Sequence, residues 1–131
     1  TKQNPFKNES KSNLRSRIKF AKKIIGKKDY IKLKFFEEKI GSNKTIDLIK
    51  HLTKEKKNEI YFIMGADNLI NFHKWYKWKS IVKKCNILVF DRLGYKAKSL
   101  KSVTFNETDT KKLTFVNFNK VNISSSQLRK V

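Results

Sequence analysis

The apolar run Ile60-Tyr61-Phe62-Ile63-Met64, followed at once by Gly65-Ala66-Asp67-Asn68-Leu69, constrains this chain more than any other stretch. A short apolar run that ends in glycine and then an acid reads as a buried strand turning into a helix. In an open α/β sheet, ligands bind at the carboxyl end of such a strand. The segment that follows carries Phe72, His73, Trp75, Tyr76 and Trp78. An acid set beside large aromatics at a strand end predicts a pocket for a ligand with hydroxyls and a flat ring.

The rest of the chain supplies elements of the same kind. Ser12–Ile25 reads as a helix, because Leu14, Ile18, Ala21 and Ile25 form one apolar stripe, with Gly26 as its C-cap. Lys11, Arg15, Lys19, Lys23 and Lys27 line another face, read as solvated surface. Ile31, Leu33 and Phe35 alternate with lysines and predict a strand. Thr45–Lys56 reads as a helix with Ile46, Ile49 and Leu52 turned inward. Asp67–Trp75 and Lys79–Cys85 read as short helices, Ile87–Phe90 as a buried strand and Leu113–Phe118 as an alternating one. Leu93–Thr110 is polar, with one β-like patch, and Ser124–Val131 reads as a helix start. Strands alternating with helices predict a doubly wound, mostly parallel α/β sheet.

At 131 residues, 1–131 is read as a single domain with enough chain to bury a core. No apolar run approaches the length of a membrane span, and Thr1-Lys2-Gln3-Asn4-Pro5 does not read as a signal peptide. The single cysteine, Cys85, cannot form an internal disulfide and excludes a cysteine-based zinc site. That usage fits a reducing compartment. The net charge of +21 admits nucleic acid, an anionic membrane or a phosphorylated small molecule as partner. Yet only Arg15, Arg17, Arg92 and Arg129 are arginines. Selection for phosphate recognition would favour arginine forks, so the lysine excess is read as the codon usage of an AT-rich genome.

Four groups of residues can carry chemistry. Asp67 reads both as a helix N-cap and as a carboxylate accepting from sugar hydroxyls, and the two roles are compatible. Trp75 and Trp78 share a helix face; Trp78 is assigned to the core and Trp75 to the pocket edge, where it offers a face for stacking. Ser124, Ser125 and Ser126, leading into a helix with Arg129 one turn on, read as a capped helix or as an anion site. Arg92 after the strand Ile87–Phe90, and Lys7 before the first helix, add cations toward one sheet edge. His51 and His73 lack nearby acids and are read as satisfied surface histidines, not as metal ligands.

Taken together these residues resemble the bacterial nicotinate-nucleotide adenylyltransferases. The resemblance is carried by Asn4-Pro5-Phe6-Lys7, Thr45-Ile46-Asp47, Gly65-Ala66-Asp67-Asn68-Leu69 with Phe72, Trp75 and Trp78, Arg92-x-Gly94-Tyr95, and Ile123-Ser124-Ser125-Ser126-x-Leu128-Arg129. These blocks stand in family order across nearly the whole chain.

The resemblance implies a Rossmann-like sheet of the nucleotidyltransferase type and adenylyl transfer from ATP to nicotinate mononucleotide, giving deamido-NAD and pyrophosphate. It implies that Trp75 stacks on the pyridine ring and that Thr45, Ile46 and Tyr76 hold the nicotinate carboxylate, partly through main-chain N–H groups. Asp67 would bind ribose hydroxyls, with Lys7 and Arg92 near substrate phosphates. Ser124, Ser125, Ser126 and Arg129 would hold the phosphates of ATP. Mg²⁺ would accompany ATP with few protein ligands. The implied setting is the cytoplasm, with neither nucleic acid nor membrane as partner and with homo-oligomerisation left open.

Three departures stand out. The family's His-x-Gly-His motif, which contacts ATP, is absent from this sequence, which resembles a fragment cut at both ends. The 131 residues alone are therefore expected to be inactive, with no catalytic residue among them. Lys44 stands where the family often has Tyr, Leu48 where it often has Thr, and Ser126 where Thr is common. The rival readings are a nicotinamide-nucleotide or pantetheine-phosphate adenylyltransferase and, from a different class, a basic nucleic-acid-binding domain.

Overall fold

The computed structural model describes residues 13–54 and 59–119. Three strands, β1 (Tyr61–Gly65), β2 (Asn86–Phe90) and β3 (Leu113–Val116), form an all-parallel sheet in the order β1-β2-β3. Parallel pairing runs Phe62 opposite Ile87, Met64 opposite Val89, and Ile87 opposite Leu113. Around the sheet stand α1 (Leu14–Ile25), α2 (Glu37–Ile40), α3 (Thr45–Thr53), α4 (Ala66–Asn71), α5 (Trp78–Lys84), α6 (Lys96–Leu100) and α7 (Val103–Glu107). The α/β class and the parallel sheet are those expected from the alternation of elements.

One side of the sheet carries the core. Phe62, Met64, Ile87, Val89, Leu113 and Phe115 alternate onto that face and meet Ala66 and Leu69 of α4. Ile81 and Val82 of α5, Ile46 and Ile49 of α3, and Phe72 complete the cluster. Phe72 is the largest fully buried side chain. It sits in a 3₁₀ turn, Phe72–Lys74, that joins α4 to the segment before α5. Burying a side chain of that size contributes roughly 1.5–3 kcal/mol. The opposite face of β1 is exposed among the described residues. Ile63 is 63% exposed and Tyr61 52%. The expected fully buried strand is therefore buried on one face only, which the continuous apolar run could not distinguish.

Several boundaries differ from expectation for identifiable reasons. Helix α1 forms as expected. Asn13 caps it by accepting from the Ser16 N–H at 2.8 Å, and Gly26 ends it at φ 57°. The alternating stretch Ile31–Phe35 is not a strand; among the described residues it pairs with no neighbour. Leu33 and Phe35 instead face Leu14, Ile18 and Ala21 of α1 across a cleft of about 350 Å³. Alternation specifies two faces but does not supply a partner strand. Leu52 is 40% exposed and not turned inward; α3 ends at Thr53, one residue later. The polar stretch Leu93–Thr110 contains no strand but two short helices, α6 and α7. Some of its hydroxyls bond within their own turns: Ser102 Oγ donates to the Ser99 carbonyl at 2.7 Å and accepts from the Phe105 N–H at 3.2 Å. Ser99 and Thr104 are fully buried.

Candidate active site at the carboxyl ends of the strands

The ends of β1 and β2 point the same way because the strands are parallel, so the residues that follow them converge. Gly65 closes β1 and is also the N-cap of α4, with φ −80° and ψ 155°. Asp67 is the second residue of α4 and makes no capping bond, so the N-cap expected of it belongs to Gly65. Its carboxylate turns toward β2. There Arg92, two residues past the strand end, donates from Nη1 to Asp67 Oδ2 at 2.8 Å. The pair lies at the surface, with the two side chains 42% and 21% exposed for Arg92 and Asp67 respectively. An ion pair this wet contributes little to stability. Its consequence is geometric, since it fixes where the carboxylate sits.

The aromatic half of the site lies between α4 and α5. Trp75 is half-buried and leans on the core, edge-on to Phe62 at 6.0 Å and tilted to Phe72 at 5.0 Å between centroids. Trp78 is also half-buried, 6.4 Å from Phe72, and packs against the core as expected. Between them Lys77 adopts the left-handed conformation, φ 52°, the only non-glycine among the described residues to do so. That kink starts α5, and the neighbouring Tyr76 projects into solvent, 52% exposed.

Tyr76 does not stand alone. The Lys44 Nζ lies over its ring at 4.2 Å and the Lys77 Nζ at 5.3 Å. Lys44 is the N-cap residue of α3. This contact therefore links the start of α3 to the aromatic segment. A lysine ammonium carries no acceptor, so it cannot cap the helix. The preceding turn is held instead by Ser42, whose Oγ donates to Asp47 Oδ2 at 2.7 Å and accepts from the Lys44 N–H at 3.2 Å. The Thr45 and Ile46 N–H groups are in the first turn, ahead of the helix's own hydrogen-bond ladder. The Ile46 side chain is fully buried, so only its main chain is available to a ligand.

Lys7, Ser124, Ser125, Ser126 and Arg129 lie outside the described residues. Asp67 and Arg92 are brought into direct contact, while Tyr76 is linked to the start of α3 through Lys44, the residue before Thr45 and Ile46. His73 departs from the satisfied surface residue expected: its Nδ1 is buried and has no hydrogen-bond partner among the described residues. Three features escaped the sequence reading. The Asp67–Arg92 pair joins residues 25 positions apart, and no local pattern announces it. Lys44 was legible only as a departure from the family, not as a partner of Tyr76. The steric relation of Gly65 to Asp67 was signalled only by their spacing. Among the described residues no group of three or more His, Cys, Asp or Glu side chains could hold a metal ion, and no helix is long and apolar enough to cross a membrane.

The cytidylyltransferase-like family model matches residues 1–131. The chain is 76% identical, over its whole length, to a probable nicotinate-nucleotide adenylyltransferase of Pelagibacter ubique (strain HTCC1062), of which it covers 73%. It is 35% identical over 102 residues to a protein of the same description from Aliarcobacter butzleri, which covers 75% of this chain and 55% of that one. It is 37% identical over 93 residues to another from Agrobacterium fabrum, covering 70% and 49%. The chain thus spans about half the length of these last two relatives. With them, this chain belongs to the cytidylyltransferase-like family of nucleotidyltransferases.

Proposed function

We propose that the protein carrying this chain transfers the adenylyl group of ATP to nicotinate mononucleotide, yielding deamido-NAD and pyrophosphate in NAD biosynthesis. The observation that carries this reading is the 76% identity along all 131 residues to a protein described as a probable nicotinate-nucleotide adenylyltransferase. A phosphate oxygen of nicotinate mononucleotide attacks the α-phosphorus of ATP. A new P–O bond forms as the bond to the leaving pyrophosphate breaks. No enzyme nucleophile is needed, so the residues act by positioning and by stabilising phosphate charge.

In this reading the aromatic group receives the base: the exposed part of Trp75 stacks on the pyridine ring. The Thr45 and Ile46 N–H groups, with Tyr76, take the nicotinate carboxylate. Asp67 accepts from ribose hydroxyls, and Lys7 and Arg92 face substrate phosphate. Ser124, Ser125, Ser126 and Arg129 hold the phosphates of ATP. Mg²⁺ enters bound to the triphosphate, with few protein ligands. The setting is the cytoplasm.

The full-length protein containing these residues, given ATP and nicotinate mononucleotide, is expected to release pyrophosphate and form deamido-NAD. No product from that pair would overturn the reading. A higher kcat/KM with nicotinamide mononucleotide would move the assignment to the nicotinamide-preferring relatives.

A further inference from the structure

Gly65 occupies a conformation that does not require glycine. Its φ of −80° and ψ of 155° are ordinary extended values open to any L-residue. What sets the position apart is space. A Cβ built there would lie 2.5 Å from Asp67 Oδ1 and 3.7 Å from Asp67 Cγ, with no other atom of its surroundings within 4 Å apart from its chain neighbours. Real Cβ atoms do not approach an oxygen that closely. The Asp67 carboxylate therefore occupies the volume that any side chain at position 65 would need. On its other oxygen the same carboxylate is held by Arg92 Nη1 at 2.8 Å.

We propose that Gly65 is a positioning residue, whose missing side chain, together with the Arg92 guanidinium, sets the Asp67 carboxylate in the orientation that receives the ribose. The proposal rests on the reading of Asp67 as a ribose ligand. One oxygen is pressed against the bare Gly65 backbone and the other is clamped across the strand ends, so the carboxylate is oriented before substrate arrives. That pre-organisation lowers the cost of binding. Because Asp67 is short and partly exposed, a methyl group at position 65 would rotate its carboxylate away and leave the fold intact.

The test uses the full-length protein. Gly65→Ala should fold as the parent does, by circular dichroism and Tm. It should raise KM for nicotinate mononucleotide by roughly tenfold or more, as expected for loss of a hydrogen bond to a charged group, with a smaller change in kcat. Asp67→Ala should raise KM comparably. Adding Gly65→Ala to Asp67→Ala should then cost nothing further, because the clash has gone. A merely structural role for Gly65 would instead give additive losses. A crystal structure of Gly65→Ala should show the Asp67–Arg92 contact broken. A Gly65→Ala variant with parental KM, an additive double variant, or an unmoved carboxylate would overturn the proposal. If the parent protein itself makes no deamido-NAD, the functional reading fails, and the crystal structure of Gly65→Ala decides the positioning question alone.

Discussion

Helix α1 and the α4 segment differ in a way that reverses their prominence in the sequence. Helix α1 has twelve residues, a clean apolar stripe and caps at both ends, yet none of its residues is buried. Phe20 and Ile24 on its flank are 65% and 63% exposed. Helix α4 has six residues, yet with the 3₁₀ turn that follows it fully buries Ala66, Leu69 and Phe72. Periodicity reports which side of a helix faces protein; it does not report how much protein is there. The segment that anchors the core also carries Asp67 and leads into Trp75. Fold stability and the proposed substrate site therefore share one stretch of about ten residues.

The contrast is sharpest in truncation. Phe72→Ala is expected to cost about 3–5 kcal/mol in urea denaturation, since it empties a filled core position. The same change at Phe20 is expected to stay within about 0.5 kcal/mol; comparable losses at the two sites would break the distinction. A pH experiment probes the same core. Cys85 is buried, its thiol donates to the Ile81 carbonyl, and burial pushes its pKa above the ordinary 9.0, opposed by Lys112. A thiol whose folded pKa is raised stabilises fully below the unfolded pKa and loses that contribution as pH rises. Stability should therefore fall as pH climbs above 9, by up to about 1.4 kcal/mol per pH unit, and Cys85→Ala should lose that slope. Lys77→Gly should relieve the left-handed kink and stabilise the folded chain by about 0.5–1 kcal/mol in thermal melts. A destabilised variant would show that the Lys77 cation–π contact to Tyr76 outweighs the strain in the backbone.

The parts of the molecule that were legible in sequence are those where local pattern and burial coincide. The strand-to-helix turn at Gly65 and the strands around Ile87 and Leu113 belong here, while helix α1 with its Gly26 cap was legible from periodicity without burial. Ile31–Phe35 was misread because a strand needs a neighbour, and alternation is silent about neighbours. Leu93–Thr110 was opaque because its buried residues are Ser99, Ser102, Thr104 and Thr108, polar types that look like surface; the hydroxyls of Ser99, Ser102 and Thr108 find carbonyls of their own turns. In the site, residue types were legible and contacts were not. Asp67, Arg92, Trp75 and Tyr76 could be picked out singly. That Arg92 grips Asp67, and that Lys44 covers Tyr76, depends on parallel strand ends and a helix start meeting in space.

The inward-facing hydroxyls of α6 and α7 also bear on how this surface exchanges with its solvent. Ser102 Oγ and Thr108 Oγ1 donate to carbonyls one turn back, and Ser99 Oγ donates to the Lys96 carbonyl. A stretch whose composition resembles a wet loop therefore presents few hydroxyls to enzymes that phosphorylate serine or threonine. Its Phe105 amide proton, held by Ser102 Oγ, should be replaced by deuterium more slowly than its neighbours in the lysine-rich turns on either side.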